Sequence, residues 1–302
     1  MDVLAGIAYS CITDALSYVL VALGVFLTLR VLIFPDLTVD GSFVTGGSVA
    51  ALLISKQYDP YLATFLAMLS GFACGALTGV LNTKLRITAL LSGILMMVAL
   101  YSINLMIMGR PNIPLLRDVT VFESVALMFG TFKGPLLVAG VLAVITGAVM
   151  LALHWFLRTD LGLALRATGD NEHLMRGLGS DTDSNIILGT SIANGMVALS
   201  GALVAQRQGF CDVNMGIGVI VLGLACVILG EGIFNPRSVG AMLVAVFVGT
   251  IIYRLFLIVA LRLGLAPGNF KLITALLVII ALTVPFLKKS IKGEHIPPAA
   301  RF

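Results

Sequence analysis

The chain has 302 residues, of which 59% are hydrophobic and only 11% charged, and its mean hydropathy is +1.07. Soluble domains carry about a quarter charged residues, so this composition excludes a water-soluble globule and predicts an integral membrane protein. The net charge of +4 does not indicate nucleic-acid binding, because the basic surplus lies at Lys84 with Arg86 and at Lys288, Lys289 and Lys292. Such clusters are typical of cytoplasmic loops next to membrane helices.

A bilayer core about 30 Å thick requires roughly 20 apolar residues per helix, and nine segments meet this requirement. They are predicted to span Ala15 to Phe34, Val39 to Ser55, Tyr61 to Thr83, Ile87 to Met108, Pro135 to Leu157, Ile186 to Gln206, Met215 to Gly230, Val239 to Leu261 and Phe270 to Leu287. The second is short and glycine-rich, so it could be broken or partly re-entrant. No removable signal is recognisable, and the first segment is expected to be kept as a membrane helix. The fold class predicted is an all-α integral membrane protein of about nine transmembrane helices in a single domain, residues 1–302.

The basic residues predict the orientation of these segments. An even number of segments separates the loop at Lys84, the interval from Arg158 to Arg176 and the tail at Lys288 to Lys292, so all three are expected in the cytoplasm. The C-terminus is then cytoplasmic, and nine crossings place the N-terminus outside; a re-entrant second segment would return it to the cytoplasm. The interval from Gly109 to Gly134 is external on this topology. Within it, Val119 to Phe129 is predicted as a short interfacial helix, or only a loop.

The longest polar interval runs from Leu157 to Asn185. Two apolar patches, Leu161 to Ala167 and Leu174 to Leu178, recur in it at helical spacing. Two short amphipathic helices with a glycine break between them fit this pattern. We interpret the cytoplasmic loop, residues 158–183, as a docking surface for a soluble partner; the alternative is a solvated loop with incidental helicity.

Self-comparison indicates a duplication. Gly41 aligns with Gly216, and Val49 to Ile54 with Leu224 to Leu229, at the same offset. The later matches are Asp59-Pro60 with Asn235-Pro236 and Ile87 to Leu91 with Ile273 to Leu277. On the predicted topology the two proline turns lie on opposite sides of the membrane. The halves, about 36–108 and 211–287, would therefore form an inverted repeat with a substrate route near the membrane midplane.

No enzyme site is recognisable. The GxxxxGK[ST] nucleotide loop is absent, and the histidines His154, His173 and His295 are too scattered for a catalytic or metal cluster. The four cysteines have neither metal-binding nor disulfide spacing. Arg254 is the only ionisable residue well inside a predicted span, and it is close enough to the end to extend towards the surface. This scarcity argues against proton-driven transport and favours an external energy source.

Uncharged polar residues within the spans have two interpretations. They could hold helices together by hydrogen bonds, or they could line a translocation path whose cytoplasmic mouth lies near Asp40. The path candidates are Asp40, Ser42, Thr45, Asn104, Asn194 and Gln206.

Three sequences carry a resemblance to a known family: FPDLTVDGSFVTGGSVAALL (residues 34–53), LGLALRATGDNEHLMRGLG in the polar interval, and SNIILGTSIANGMVALSGALVAQ after it. Together they resemble the permeases of bacterial ABC importers in the branched-chain amino acid and ribose permease superfamily. The PDLTVDGSF form is most similar to the tryptophan and tyrosine importer subgroup. The resemblance covers nearly the whole chain but does not identify the substrate.

This resemblance implies an importer made of two permease copies, a cytoplasmic ABC ATPase dimer and an extracytoplasmic substrate-binding protein in the bacterial plasma membrane. ATP and magnesium would be bound by the ATPases, and this chain would bind no cofactor. In the family, the cytoplasmic loop supplies a coupling helix that sits in a groove of the ATPase. The matching positions are Arg166, Ala167, Thr168, Gly169, Asp170, Asn171, Glu172, Arg176 and Gly179. Members often have Glu-Ala-Ala-Arg where this chain has residues 172–176, EHLMR, so individual contacts differ here.

The sequence therefore predicts a homodimeric permease that imports a small polar solute, such as an amino acid, without an ATPase site of its own. A stand-alone secondary transporter with inverted repeats is the alternative from another class. An exporter and a membrane-embedded enzyme are weaker alternatives.

Overall fold

In a computed structural model, residues 2–129 and 135–262 are described, together with six positions after them (272, 274 to 276, 279 and 283). The described chain is mainly helical. In chain order the helices are α1 Asp2–Phe26, α2 Thr38–Ser55, α3 Pro60–Thr83, α4 Ala89–Met108, α5 Val121–Phe129, α6 Pro135–Phe156, α7 Asp160–Asp170, α8 Glu172–Gly177, α9 Thr182–Gln208, α10 Val219–Phe234 and α11 Val239–Arg262. A π-helical turn, Leu27–Val31, extends α1. Strands β1 Asn112–Pro114 and β2 Phe210–Asp212 pair antiparallel.

Seven of these helices are long and apolar enough to cross a membrane, so the chain is a multi-pass membrane protein. The candidate spans are Tyr9–Val31, Thr38–Ser55, Pro60–Thr83, Ala89–Met108, Leu136–Phe156, Thr182–Gln208 and Val239–Ala260. The seventh predicted segment is the shorter α10, which starts later than predicted and has only 16 residues. The ninth, Phe270 to Leu287, lies outside the described residues except for isolated positions. The Lys288 to Lys292 tail and two of the five residues of the repeat Ile273 to Leu277 also lie outside them.

The centre of the fold is α9, whose membrane-spanning window is 83% buried. It packs mainly against α3 and α2 and also contacts α1. Close approach depends on glycine: a Cβ on Gly46 of α2 would overlap the carbonyl oxygen of Ala198, and one on Gly201 of α9 would overlap that of Phe43. Small residues allow this contact between backbones, as is usual for helices packed in a membrane.

Contacts between helix ends define two sides of the molecule. On one side, the Leu27–Val31 turn of α1 meets α7, Arg30 pairs with Glu231 at the end of α10, and Lys84 after α3 pairs with Asp183 at the start of α9. The β1–β2 ribbon lies on the other side, with β1 after α4 and β2 after α9. We call these two sides the loop side and the ribbon side. α1 therefore runs from the ribbon side to the loop side.

Two helices, α2 and α10, start inside the helical bundle. Gly41 in the first turn of α2 contacts Leu100, which lies roughly 12–16 Å from either end of α4 at 1.5 Å per residue. The irregular residues 213–218 bring α10 to the same depth, because Asp40 accepts hydrogen bonds from the backbone N–H groups of Gly218 and Ile220. From this point α2 runs to the ribbon side and α10 to the loop side. Irregular backbone at such depth is tolerated where protein surrounds it or where it lines a cavity.

The two aligned proline turns differ in structure. Asp59 caps α3, with its Oδ1 accepting N–H bonds from Tyr61 (2.8 Å) and Leu62 (3.1 Å), and Pro60 occupies the first helical position. Asn235 instead ends α10 in a left-handed conformation. Ser238 accepts the N–H bond of Ala241 at the start of α11, so only the first turn starts a helix as the sequence predicted.

Candidate coupling surface and translocation path

The cytoplasmic loop predicted from sequence contains two short helices. Thr159 caps α7 by accepting the N–H bond of Gly162 at 3.3 Å. Asn171 separates the helices and caps α8, with its Oδ1 accepting from the Leu174 N–H at 3.0 Å. The predicted glycine break is therefore wrong: an asparagine with an extended backbone and an acceptor side chain makes the break.

One face of α7 packs onto the rest of the protein. Leu165 is fully buried with Leu32 in the largest apolar cluster. A Cβ on Gly169 would overlap the carbonyl oxygen of Val31, so only glycine lets α7 approach the end of α1 this closely. The Thr168 hydroxyl accepts a hydrogen bond from Asn185 Nδ2 at 2.9 Å. The loop is thus held against the start of α9 and the chain that leads from α1 to α2.

Exposed apolar side chains outside the spans also occur on α7 and at α8. Leu161, Leu163, Leu174 and Leu178 are 49–73% exposed. Exposed large apolar side chains outside the membrane spans, together with charged residues nearby, are typical of a protein interaction site.

Charged residues lie on α8 and at the start of α9, close in sequence to these leucines. Arg176 pairs with Glu172 at 2.9 Å and with Asp183 at 3.0 Å. Hydrogen bonds from the Ser184 hydroxyl and N–H hold the pKa of Asp181 below its ordinary value, so this carboxylate at the start of α9 stays negative at neutral pH. These exposed pairs contribute little to stability but fix the local charge pattern.

The nine predicted coupling residues divide into three groups. Thr168 and Gly169 face the protein, and Ala167 is half-buried beside them. Asn171, Glu172 and Arg176 are exposed on or before α8, and Gly179, at a φ of +85°, turns the chain towards α9. Arg166 and Asp170 line a polar hollow of about 450 Å³ next to Glu231 and Asn235. The structure thus places all nine on one loop.

The six predicted path residues are spread through the bundle. Five of them are at most 3% exposed: Ser42, Thr45, Asn104, Asn194 and Gln206. Their hydrogen bonds mostly join helices: Asn104 donates to the Gly41 carbonyl at 3.2 Å, and Gln206 donates to the Thr64 hydroxyl at 2.8 Å. Asp40 lies at mid-depth rather than at a cytoplasmic mouth.

Only Asp40 and Asn104 of these six line an open groove. The groove has a volume of about 470 Å³ and lies between α2, α4 and the irregular residues 213–217, with Val98, Tyr101 and Ile217 on its walls. It reaches the depth at which α2 and α10 begin.

Comparison with known proteins identifies the chain. Residues 7–282 match the model of a family described as the permease component of the branched-chain amino acid transport system. The chain belongs to this family. The permease is thus the translocation subunit of an ABC-type transport system, as the sequence motifs indicated.

Curated relatives extend this comparison. The permease is 41% identical to the tyrosine transport system permease protein of Clostridioides difficile, over 95% of this chain and 94% of the relative. It is 36% identical to an uncharacterised protein of Rickettsia prowazekii, over 86% and 91% of the two chains. The ribose import permease protein of Escherichia coli K12 is 27% identical, over 82% of this chain and 76% of that protein. No solved structure matched the permease.

Sequence reasoning missed Asp36, which is completely buried between α1 and α2. Its Oδ2 accepts a hydrogen bond from Asn194 Nδ2 at 2.6 Å, and its Oδ1 accepts the Thr38 N–H at 2.9 Å. The predicted second span began at Val39, so Asp36 was counted as part of a loop. The signal available in the sequence was Pro35, directly before Asp36. A proline is a poor continuation of a helix, so it marks a break in the chain between the first and second spans.

The side chain of Arg254 in α11 also takes a different direction from the one predicted. Its guanidinium carbon lies 3.7 Å from the ring centroid of Tyr18 on α1, and its Nε and one terminal nitrogen are buried. The side chain therefore turns into the bundle instead of extending along the lipid to the surface.

Proposed function

We propose that this permease is the membrane subunit of an ATP-driven, binding-protein-dependent importer that carries an amino acid across the bacterial plasma membrane. A second permease copy, two cytoplasmic ABC ATPases and an extracytoplasmic binding protein would complete the complex. ATP and magnesium would be bound by the ATPases. The contribution of this chain would be mechanical, with most of the selectivity in the binding protein.

The observation that carries this proposal is the loop of α7 and α8. Its buried residues rest on the chain between α1 and α2, and its exposed surface carries four leucines and the Arg176–Glu172 ion pair. An ATPase groove seated on the exposed surface would be mechanically connected to the buried residues. Family membership gives the partner its class.

Alternating access is supported by the way α2 and α10 begin. Both start at one depth, linked by Asp40, and run in opposite directions. Discontinuous helices at mid-depth are typical of transporters built from inverted repeats, as proposed for residues 36–108 and 211–287. If the coupling loop is cytoplasmic, the direction of α1 supports an external N-terminus, and the predicted crossing within 270–287 would return the C-terminus to the cytoplasm.

The substrate class follows from the relatives. The 41% identical relative is named for tyrosine and the 27% identical one for ribose, so tyrosine is the first substrate to test. Pull-down of the solubilised permease from its native membrane, followed by reconstitution with the recovered ATPase and binding protein, tests the complex. We expect ATP-driven tyrosine uptake, and loss of the ATPase when Leu161, Leu163, Leu174 and Leu178 are changed to serine. ATPase binding that survives those changes would refute the docking role of the loop.

A stand-alone secondary transporter remains a second candidate because of one observation, the buried Asp36 carboxylate. Intramembrane carboxylates often carry protons or bind coupling ions. Asp36 accepts hydrogen bonds from Asn194 and Thr38, so a structural role also accounts for this buried carboxylate. A protonophore decides between the two: uptake by proteoliposomes that collapses with the proton gradient, and does not need ATP, would favour the secondary transporter.

A further inference from the structure

A second cavity lies on the other side of the irregular residues 213–218. It has a volume of about 300 Å³ and is bounded by α1, the start of α10 and α11. Tyr18, Tyr253 and Arg254 form its polar wall, and Leu222 and Leu257 are among its apolar lining residues. This volume is at the lower end of the range for small-molecule sites, which suits a solute of single amino-acid size.

The charge in this cavity has no counter-ion among the described residues. Arg254 Nε and one terminal nitrogen are buried without a hydrogen-bond partner there, and its stacking on Tyr18 satisfies none of the N–H groups. Two arginines near the ends of spans are paired, in contrast: Arg30 with Glu231, and Arg207 with Asp14. An uncompensated cation in the interior of a membrane protein is costly and usually marks a ligand or ion pathway.

The neighbouring helix end does not serve as the anion site. In transporters with broken helices, the N-terminal N–H groups of a half-helix often receive an anionic substrate group. Here Asp40 already accepts the Gly218 N–H at 2.9 Å and the Ile220 N–H at 2.8 Å. These two N–H groups are therefore occupied, and Arg254 is the cationic residue that lines the cavity.

We propose that Arg254 binds the carboxylate of the transported amino acid in the cavity between α1, α10 and α11. A guanidinium donates two parallel N–H bonds to a carboxylate, and the ring of Tyr18 holds it in place from the opposite face. Tyr253, whose hydroxyl lies 2.6 Å from that of Thr274, gives the cavity an aromatic wall for the side chain. The inference rests on the proposed importer function and names the group that the permease itself recognises.

Binding of radiolabelled tyrosine to the solubilised permease–ATPase complex, without binding protein, tests this assignment. Two competitors separate the functional groups: 3-(4-hydroxyphenyl)propionate keeps the carboxylate and lacks the amine, and tyramine keeps the amine and lacks the carboxylate. We expect the propionate to compete and tyramine not to. Tyramine competing as well as tyrosine would overturn the proposal.

Variants of Arg254 supply the second readout. We expect Arg254→Gln to lower tyrosine binding and uptake at least tenfold, with ATP hydrolysis retained, and Arg254→Lys to lose less because it keeps the charge. Arg110→Gln, at an exposed position after α4, is the matched control and should behave as wild type. If Arg254→Gln fails to assemble, Arg254→Lys and the competition pattern of the wild type decide.

The outcomes also separate this inference from the function on which it rests. Wild-type tyrosine uptake with an unchanged rate in Arg254→Gln would refute the carboxylate site alone. A wild-type complex that drives no amino acid uptake with ATP would refute the importer function, and the carboxylate site with it.

Discussion

We predict that the contact between α7 and the end of α1 makes coupling to the ATPase sensitive to a single methyl group. In Gly169→Ala, the new Cβ would overlap the Val31 carbonyl oxygen and lie 2.9 Å from its carbon and 3.0 Å from the Cα of Leu32. Favourable carbon–carbon contacts are about 3.5–4.0 Å. The contact with the oxygen is the tightest of the three, so the two backbones must separate by more than about 1 Å. No side-chain rotation can relieve the overlap because the opposing atoms are backbone.

The cost of that separation can be estimated. Overpacking a close-packed contact typically costs about 1–3 kcal/mol, which corresponds to about a 5- to 150-fold shift between the docked and undocked loop. Gly177→Ala in α8 is the matched control, since a Cβ there would meet nothing within 4 Å. Alanine improves helix propensity at both sites by about 1 kcal/mol, so comparison of the two variants removes that contribution.

The assay is ATP hydrolysis and tyrosine uptake by the reconstituted complex. We expect Gly169→Ala to reduce the uptake per ATP hydrolysed at least fivefold while the complex remains assembled, and Gly177→Ala to leave it unchanged. Equal coupling in both variants would show that contact between α7 and Val31 does not transmit the ATPase cycle.

Three further changes test the interior. Asp40→Ala removes two charge-assisted hydrogen bonds to the start of α10, each worth about 1.5–3 kcal/mol. We therefore expect a lower thermal unfolding midpoint in detergent, and a smaller decrease in Asp40→Asn. Midpoints equal to that of the wild type would contradict the capping role. Asn194→Leu leaves the Asp36 carboxylate without its amide donor and should destabilise by about 1–3 kcal/mol, more than Asp36→Asn does, as thermal unfolding would show. Gly46→Ala should lower the midpoint through overlap with α9, whereas Gly147→Ala on α6, where a Cβ meets nothing within 4 Å, should not; a similar effect of both would argue against the close α2–α9 contact.

The sequence was sufficient to locate most membrane helices and the two short helices α7 and α8, because both depend on patterns visible within one segment. A run of about 20 apolar residues identifies a span whatever packs against it. The interval from Leu157 to Asn185 stands out because charge and helical periodicity coincide in it. The exposed leucines of α7 and α8 are those that the periodicity assigned to the apolar patches.

The depth at which α2 and α10 begin could not be obtained in this way. A hydropathy window averages over irregular backbone, so residues 213–218 were divided between a loop and a predicted helix. The Asp36 carboxylate was assigned to a loop because its partner, Asn194, is remote in sequence. Arg254 was assigned to the lipid boundary because nothing in α11 alone shows that Tyr18 lies across from it.

One short stretch of chain, from Val31 to Asp40, joins the proposed coupling surface to the core of α9 and to the start of α10. At its start, Val31 contacts Gly169 of the loop; in its middle, Asp36 bonds to Asn194 in the core of α9; at its end, Asp40 holds the start of α10. Since close-packed interiors transmit displacements rather than absorb them, a movement of α7 by even 1 Å must be taken up along this stretch. We propose that the start of α2, held by these contacts, is the element whose position an ATPase could bias.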